Sequence, residues 1–220
     1  MIRSLSIAAL ASCLAAPLQA RPIVLELFTS QGCSSCPPAD ALLTELAGRG
    51  DLLPLAFHVD YWNRLGWRDE YSSPKFTLRQ RDYAELFPDG QVYTPQLVIN
   101  GSRQVVGSDR FAVQVALKAA KSDPDIAMQL TANGIEVAAG TGHGTVWLVG
   151  YDPEHSTPVA RGENEGRVLV ESNIVRSLQA VGQWHGDAMH LPIGRVEGER
   201  VAVFLQKDNG AIVGAAIGTP

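Results

Sequence analysis

Apolar residues gather first between Leu5 and Leu18, then in two short runs, Ile23–Thr29 and Leu52–Val59. Short apolar runs bounded by turn residues predict buried strands. Between them Ala39–Ala47 carries apolar positions at helical spacing and stops at Gly48 or Gly50, which predicts a helix. Phe76, Tyr83, Leu86 and Phe87 repeat that spacing over Phe76–Phe87, with Pro88 as the stop. Gln96–Ile99 and Gln104–Val106 flank Asn100-Gly101, a pair that favours the positive φ values of a tight hairpin turn. Phe111–Ala120 predicts a third helix, with Ser108 or Asp109 as its N-cap.

Beyond Asp123-Pro124 the period shortens. Ala127–Thr131 and Ile135–Ala138, joined by Asn133-Gly134, read as strands, as do Thr145–Tyr151, Arg167–Glu171, Val201–Gln206 and Ala211–Ile217. The expected organisation is an α/β unit over 21–122 and a small all-β, sandwich-like domain over 125–220. In the first unit the order is strand, helix, strand, helix, hairpin, helix. A right-handed crossover makes the first two strands parallel, and the hairpin adds antiparallel partners. That order matches a thioredoxin-like domain of the glutaredoxin type.

The start of the chain changes the compartment expected. Arg3 precedes the apolar stretch, which ends at Leu18-Gln19-Ala20; this is the anatomy of a signal peptide over 1–20. Leu10-Ala11-Ser12-Cys13 resembles a lipoprotein processing site, but apolar residues continue past Cys13, so secretion without a lipid anchor is expected, into the periplasm if the cell is Gram-negative. No later segment reaches membrane-spanning length without charges. With 18 basic and 23 acidic side chains the net charge is −5, which argues against nucleic-acid or anionic-membrane partners.

Chemistry concentrates in Cys33-Ser34-Ser35-Cys36, at the junction of the first strand and the first helix. Two thiols three residues apart close into a small disulfide ring, and after signal removal no third thiol remains. Thiol–disulfide exchange is the leading reading. A structural disulfide in a non-enzymatic binding module is a second, and a soft ion such as Cu(I) held by both thiolates is a third. For the leading reading no metal or cofactor beyond the cysteine pair is expected, and the partner is a protein or small-molecule thiol or disulfide.

The stretch Glu26-Leu27-Phe28-Thr29-Ser30-Gln31-Gly32-Cys33-Ser34-Ser35-Cys36-Pro37-Pro38-Ala39-Asp40 closely resembles the opening of a secreted bacterial thioredoxin-like family, domain of unknown function 1223. His58-Val59-Asp60-Tyr61-Trp62, Leu65-Gly66-Trp67, Val92-Tyr93-Thr94-Pro95-Gln96 and Arg161-Gly162-Glu163-Asn164-Glu165-Gly166-Arg167 carry the same resemblance. It implies a cis peptide at Thr94-Pro95, beside the cysteine pair, on a surface where a substrate strand docks. It names no reaction.

Within this frame Cys33, nearer the strand end, is expected to be the exposed nucleophile and Cys36 the buried resolving thiol. Pro37-Pro38 push the helix start to between Ser35 and Pro38, because proline is tolerated only in the first turn. Cys33 then precedes the helix, and Ser34 and Ser35 stand beside it as hydroxyl donors or turn residues. Thioredoxin proper carries a buried acid at the position of Leu27; Glu26 points to the other side of the strand, leaving Asp60 as the candidate proton acceptor. His58 shares a face with Asp60 by alternation and reads as structural. Tyr61, Trp62, Leu65, Trp67 and Tyr71 form either a binding wall, with Trp62 foremost, or a small core of their own. Arg79, Gln80 and Arg81 read as a solvated helix face, although the resemblance leaves Arg79 and Gln80 open. The histidines near His185 and His190 fit no regular metal spacing.

Overall fold

The computed structural model describes residues 21–120 and 126–218. The signal segment, Cys13 and the expected domain boundary at 122–125 lie outside the described residues.

The predicted order of the first half is present. Strand β1 (Ile23–Thr29), helix α1 (Pro37–Ala47), strand β2 (Leu52–His58), helix α2 (Pro74–Leu86), strands β3 (Gln96–Ile99) and β4 (Arg103–Val106), and helix α3 (Arg110–Ala120) follow one another. α1 starts at Pro37 because its two prolines occupy N1 and N2, where the missing N–H groups cost nothing. Asp109 caps α3, its carboxylate accepting from Ala112 N at 3.0 Å.

The second half differs from the expected separate sandwich. β5 (Met128–Thr131), β6 (Gly134–Val137) and β9 (Met189–Leu191) form a small three-stranded sheet. β7 (Gly144–Pro158), β8 (Val168–Trp184), β10 (Arg200–Gln206) and β11 (Ile212–Ile217) instead extend the sheet of the first half. One eight-stranded sheet results, in the order β11-β10-β7-β8-β2-β1-β3-β4. β1 runs parallel to β2 and antiparallel to β3, and β8 joins parallel to β2 where Ile174 faces Ala56. The sequence pattern missed this because β7 and β8 are one long hairpin of 15- and 17-residue strands, whose polar outer stretches hide its length.

Alternation along β1 divides the core. Ile23, Leu25 and Leu27 face α1 and α3, while Val24 and Phe28 face α2. On the α2 side Phe28, Phe57 and Phe76 pack at centroid separations of 5.6 and 5.2 Å, each pair contributing about 0.5–1.5 kcal/mol beyond burial. The small sheet covers the opposite face of β7 and β10 through Ile135, Val137, Val203 and Leu205. Glu26, fully buried on the α2 side, pairs with Arg79 of α2 through Nε at 2.6 Å and Nη2 at 3.1 Å. Tyr83 Oη donates to the same carboxylate. Arg79 and Gln80 are therefore buried, correcting the solvated helix face: the carboxylate on β1 and the Tyr93 carbonyl draw both inward.

Candidate functional site

β1 ends at Thr29, and two tight turns carry the chain to α1. Cys33 N donates to Ser30 O at 3.1 Å, and Cys36 N to Cys33 O at 3.2 Å. The second turn brings the Cα atoms of Cys33 and Cys36 to 5.4 Å, and their sulfurs are joined. The Cys36 carbonyl then accepts from Ala39 and Asp40, opening α1.

Both cysteines are 0% exposed, while Ser34 and Ser35 between them reach solvent. An exposed Cys33 was expected; the structure corrects this, and the cover is identifiable. Thr94 Oγ1 donates to Cys33 Sγ at 3.3 Å and accepts from Trp62 Nε1 at 2.9 Å. Ser35 Oγ lies 3.3 Å from the same sulfur. The Thr94–Pro95 peptide is cis. Gly107 completes this wall: a Cβ there would come within 2.8 Å of Leu27 Cδ1 and 3.2 Å of the Ala39 Cβ, so any side chain would force these neighbours to shift.

The rest of the cover comes from the tip of the β7–β8 hairpin, residues 159–167. Asn164 Nδ2 donates to the carbonyls of Gln31 and Cys33, each at 2.9 Å. Glu163 accepts from Ser34 N at 3.1 Å. Gly162, at φ +82°, lets the tip turn against Trp67. Trp67 in turn donates from Nε1 to Gln31 Oε1 at 3.0 Å. The aromatic insertion is thus hydrogen-bonded to the cysteine loop through Trp67 and to Thr94 beside it through Trp62.

Beneath the loop lies a buried ionisable cluster. His58 Nδ1 lies 2.7 Å from Asp69 Oδ2, which also accepts from Gln31 N at 2.9 Å. Gln31 Nε2 donates to Glu171 Oε2 at 2.7 Å, and Thr29 Oγ1 to Asp40 Oδ1 at 2.7 Å. His58 Nε2 and Glu171 Oε1, 3.8 Å apart, are both buried without a hydrogen-bond partner among the described residues. Burial, reinforced by Glu171, pushes the Asp40 carboxyl up to about 7. For His58 burial acts downward, but Asp69 and Glu171 outweigh it and hold the imidazole up at about 9. Burial also raises Glu171, whereas His58 outweighs burial at Asp69 and lowers it.

The residues singled out from sequence separate into two groups. Cys33, Cys36, Ser35, Thr94 and Trp62 converge, with Ser34 at the mouth and Pro95 behind Thr94. Asp60 does not join them: its carboxylate accepts from Thr77 of α2, and β2 ends at His58, so alternation no longer puts the two side chains on one face. His190, His143 and His155 pair with Glu136, Asp208 and Asp152 at separate places. Gln31, Asp40, Asp69, Asn164 and Glu171 were not recognised as site residues. Gln31, Asp40 and Asn164 lie in stretches that carry the resemblance, which was the available signal; Asp69 and Glu171 had none.

A family model described as "Protein of unknown function (DUF1223)" matches residues 24–206. The crystal structure of protein AGR_C_4864 from Agrobacterium tumefaciens superposes with a TM-score of 0.78 at 34% identity, covering 90% of this chain and 95% of that one. HBP35 of Porphyromonas gingivalis gives a TM-score of 0.53 at 12% identity over 90% of this chain and 74% of that one, a likeness of fold alone. No curated protein matches the chain.

Proposed function

We propose that this chain, which belongs to the DUF1223 family, is a secreted thiol–disulfide oxidoreductase with a thioredoxin-like core, exchanging at Cys33 behind a cover that opens. The observation that carries the reading is the disulfide at the β1–α1 junction with the Thr94 hydroxyl on Cys33 Sγ. A hydroxyl donor on one sulfur, with none on the other among the described residues, distinguishes the two, and it would stabilise a thiolate at Cys33 once the pair is reduced. A buried disulfide also suits the oxidising compartment that the apolar Leu5–Leu18 segment implies.

In the reducing direction the Cys33 thiolate attacks a substrate disulfide. A Cys33–substrate bond forms, the substrate S–S bond breaks, and one substrate thiolate leaves. Cys36 then attacks Cys33 Sγ, restoring the Cys33–Cys36 bond and releasing the second thiolate. The substrate gains two electrons and the pair loses them, so an external thiol reductant returns the enzyme to its starting state. Asp40 stands four residues after Cys36, on the same face of α1. Its carboxyl, pushed up to about 7, matches the task of taking the Cys36 proton.

Burial of both sulfurs favours one other reading, a structural disulfide in a binding module. The discriminating experiment is a redox titration of the mature protein in glutathione buffers, with insulin-disulfide reduction assayed on wild type and Cys33→Ala. The oxidoreductase reading expects a reversible two-electron transition in the folded protein and turnover that Cys33→Ala abolishes. A disulfide that is reduced only on unfolding, with no turnover, establishes the structural reading instead.

A further inference from the structure

The α2 face of the sheet carries a second concave site. Beside α2 the same face of β7, β8 and β10 is open, leaving a groove of about 450 Å³, within the roughly 300–1,000 Å³ of small-molecule sites. Its walls are apolar: Leu78 and Leu86 of α2 are 55% and 46% exposed, facing the half-buried Trp147 and Leu178.

Its floor is a guanidinium, counter-charged by Glu26. The Arg79 guanidinium lies 5.4 Å from the Trp147 ring centroid and 5.2 Å from that of Tyr83. Nε and Nη2 are spent on Glu26, Tyr83 and Gln206. Nη1 has no hydrogen-bond partner among the described residues, and Arg79, 8% exposed, lines the groove. Lys75 and Lys207 line the same groove, and neither makes an ion pair among the described residues. Two acids also line the groove, Asp208, which lies 2.7 Å from His143, and Asp82, which is exposed on α2.

We propose that this groove binds a small amphipathic carboxylate, its apolar body on Trp147, Leu178 and Leu86 and its carboxylate between Arg79 Nη1 and Lys207. A neutral apolar molecule would cover Nη1 and leave its donors unpaired, which is costly. A bare inorganic anion would leave the walls wet and gain nothing from them. A carboxylate on an apolar body satisfies both, since guanidinium donors match carboxylate oxygens in geometry and charge. The site lies on the α2 face, whereas α1, which follows the disulfide, packs on the other face; the proposal is independent of the redox chemistry.

The test is calorimetric and NMR titration of the full mature chain with indole-3-acetate and with its neutral amide. The acid is expected to bind saturably and to shift the Trp147 indole N–H resonance, with the amide about tenfold weaker or worse, a 1.4 kcal/mol difference. Lys207→Glu should weaken the acid several-fold, and Leu178→Glu should abolish binding, with circular dichroism confirming that both variants fold. Equal affinity for acid and amide, insensitivity to Lys207→Glu, or no saturable binding overturns the proposal.

Discussion

Thr94 and Cys33, 61 positions apart in the chain, meet at 3.3 Å, with the threonine hydroxyl donating to the disulfide sulfur. A donor that reaches the sulfur in the disulfide also reaches a thiolate at the same place. Hydrogen bonds to charged groups contribute about 1.5–3 kcal/mol, and one pKa unit corresponds to about 1.36 kcal/mol. Thr94→Val keeps the side-chain shape and removes the donor, so the Cys33 thiol pKa should rise by about one to two units. Alkylation of Cys33 across pH in a Cys36→Ser background, read by peptide mass spectrometry, measures it. An unchanged profile removes Thr94 from thiolate stabilisation.

Asn164 is the latch of the hairpin tip. Asn164→Ala deletes its two hydrogen bonds to the cysteine loop, each contributing about 0.5–1.5 kcal/mol. Reduction of the disulfide by dithiothreitol in the folded protein should accelerate about tenfold, since the open form becomes more populated by that order. Stopped-flow thiol assays in native buffer give the rate. If it does not change, the tip is not what limits access to the sulfurs.

The buried cluster makes stability depend on pH, and its sign is determined. Asp40 is raised from 3.8 to about 7 and His58 from 6.5 to about 9, so both bind protons more tightly folded than unfolded. Their stabilisation is fully present below the unfolded values and is lost as pH rises through the folded ones. Asp69, lowered by its imidazole partner, works the other way on acidification below its ordinary value of 3.8. The melting temperature of the oxidised protein should therefore fall from pH 6.5 to pH 9. Asp40→Asn should flatten the part of the curve between pH 4 and pH 7. Thermal denaturation across that range checks both, and a melting temperature that rises toward pH 9 contradicts the assignment.

Glu26→Gln leaves the buried Arg79 guanidinium without its counter-charge. Breaking one partner of a buried pair costs about 3–5 kcal/mol, which for a domain of this size lowers the melting temperature by roughly 6–20 °C. Glu26→Leu combined with Arg79→Met should recover much of that loss, because no uncompensated charge remains. Calorimetric unfolding of both variants distinguishes a charge effect from a packing effect.

Taken alone, the sequence determined the strand and helix order of the first half, the start of α1 and the place of the cysteine pair. Each rests on short-range physics: apolar period, the tolerated positions of Pro37 and Pro38, and the Asn100-Gly101 turn. The resemblance also implied Thr94-Pro95 beside the pair, while the aromatic insertion stayed open between a binding wall and a small core. Tertiary structure alone decided that Cys33 is covered and that one sheet runs through both halves. Asn164 reaches Cys33 across 131 residues, and that meeting depends on the length and register of the β7–β8 hairpin. The acids were likewise indistinct in sequence. Asp40, Asp69 and Glu171 look like ordinary solvated carboxylates until the α1 helix, the aromatic insertion and β8 fold over one another and remove the water around them.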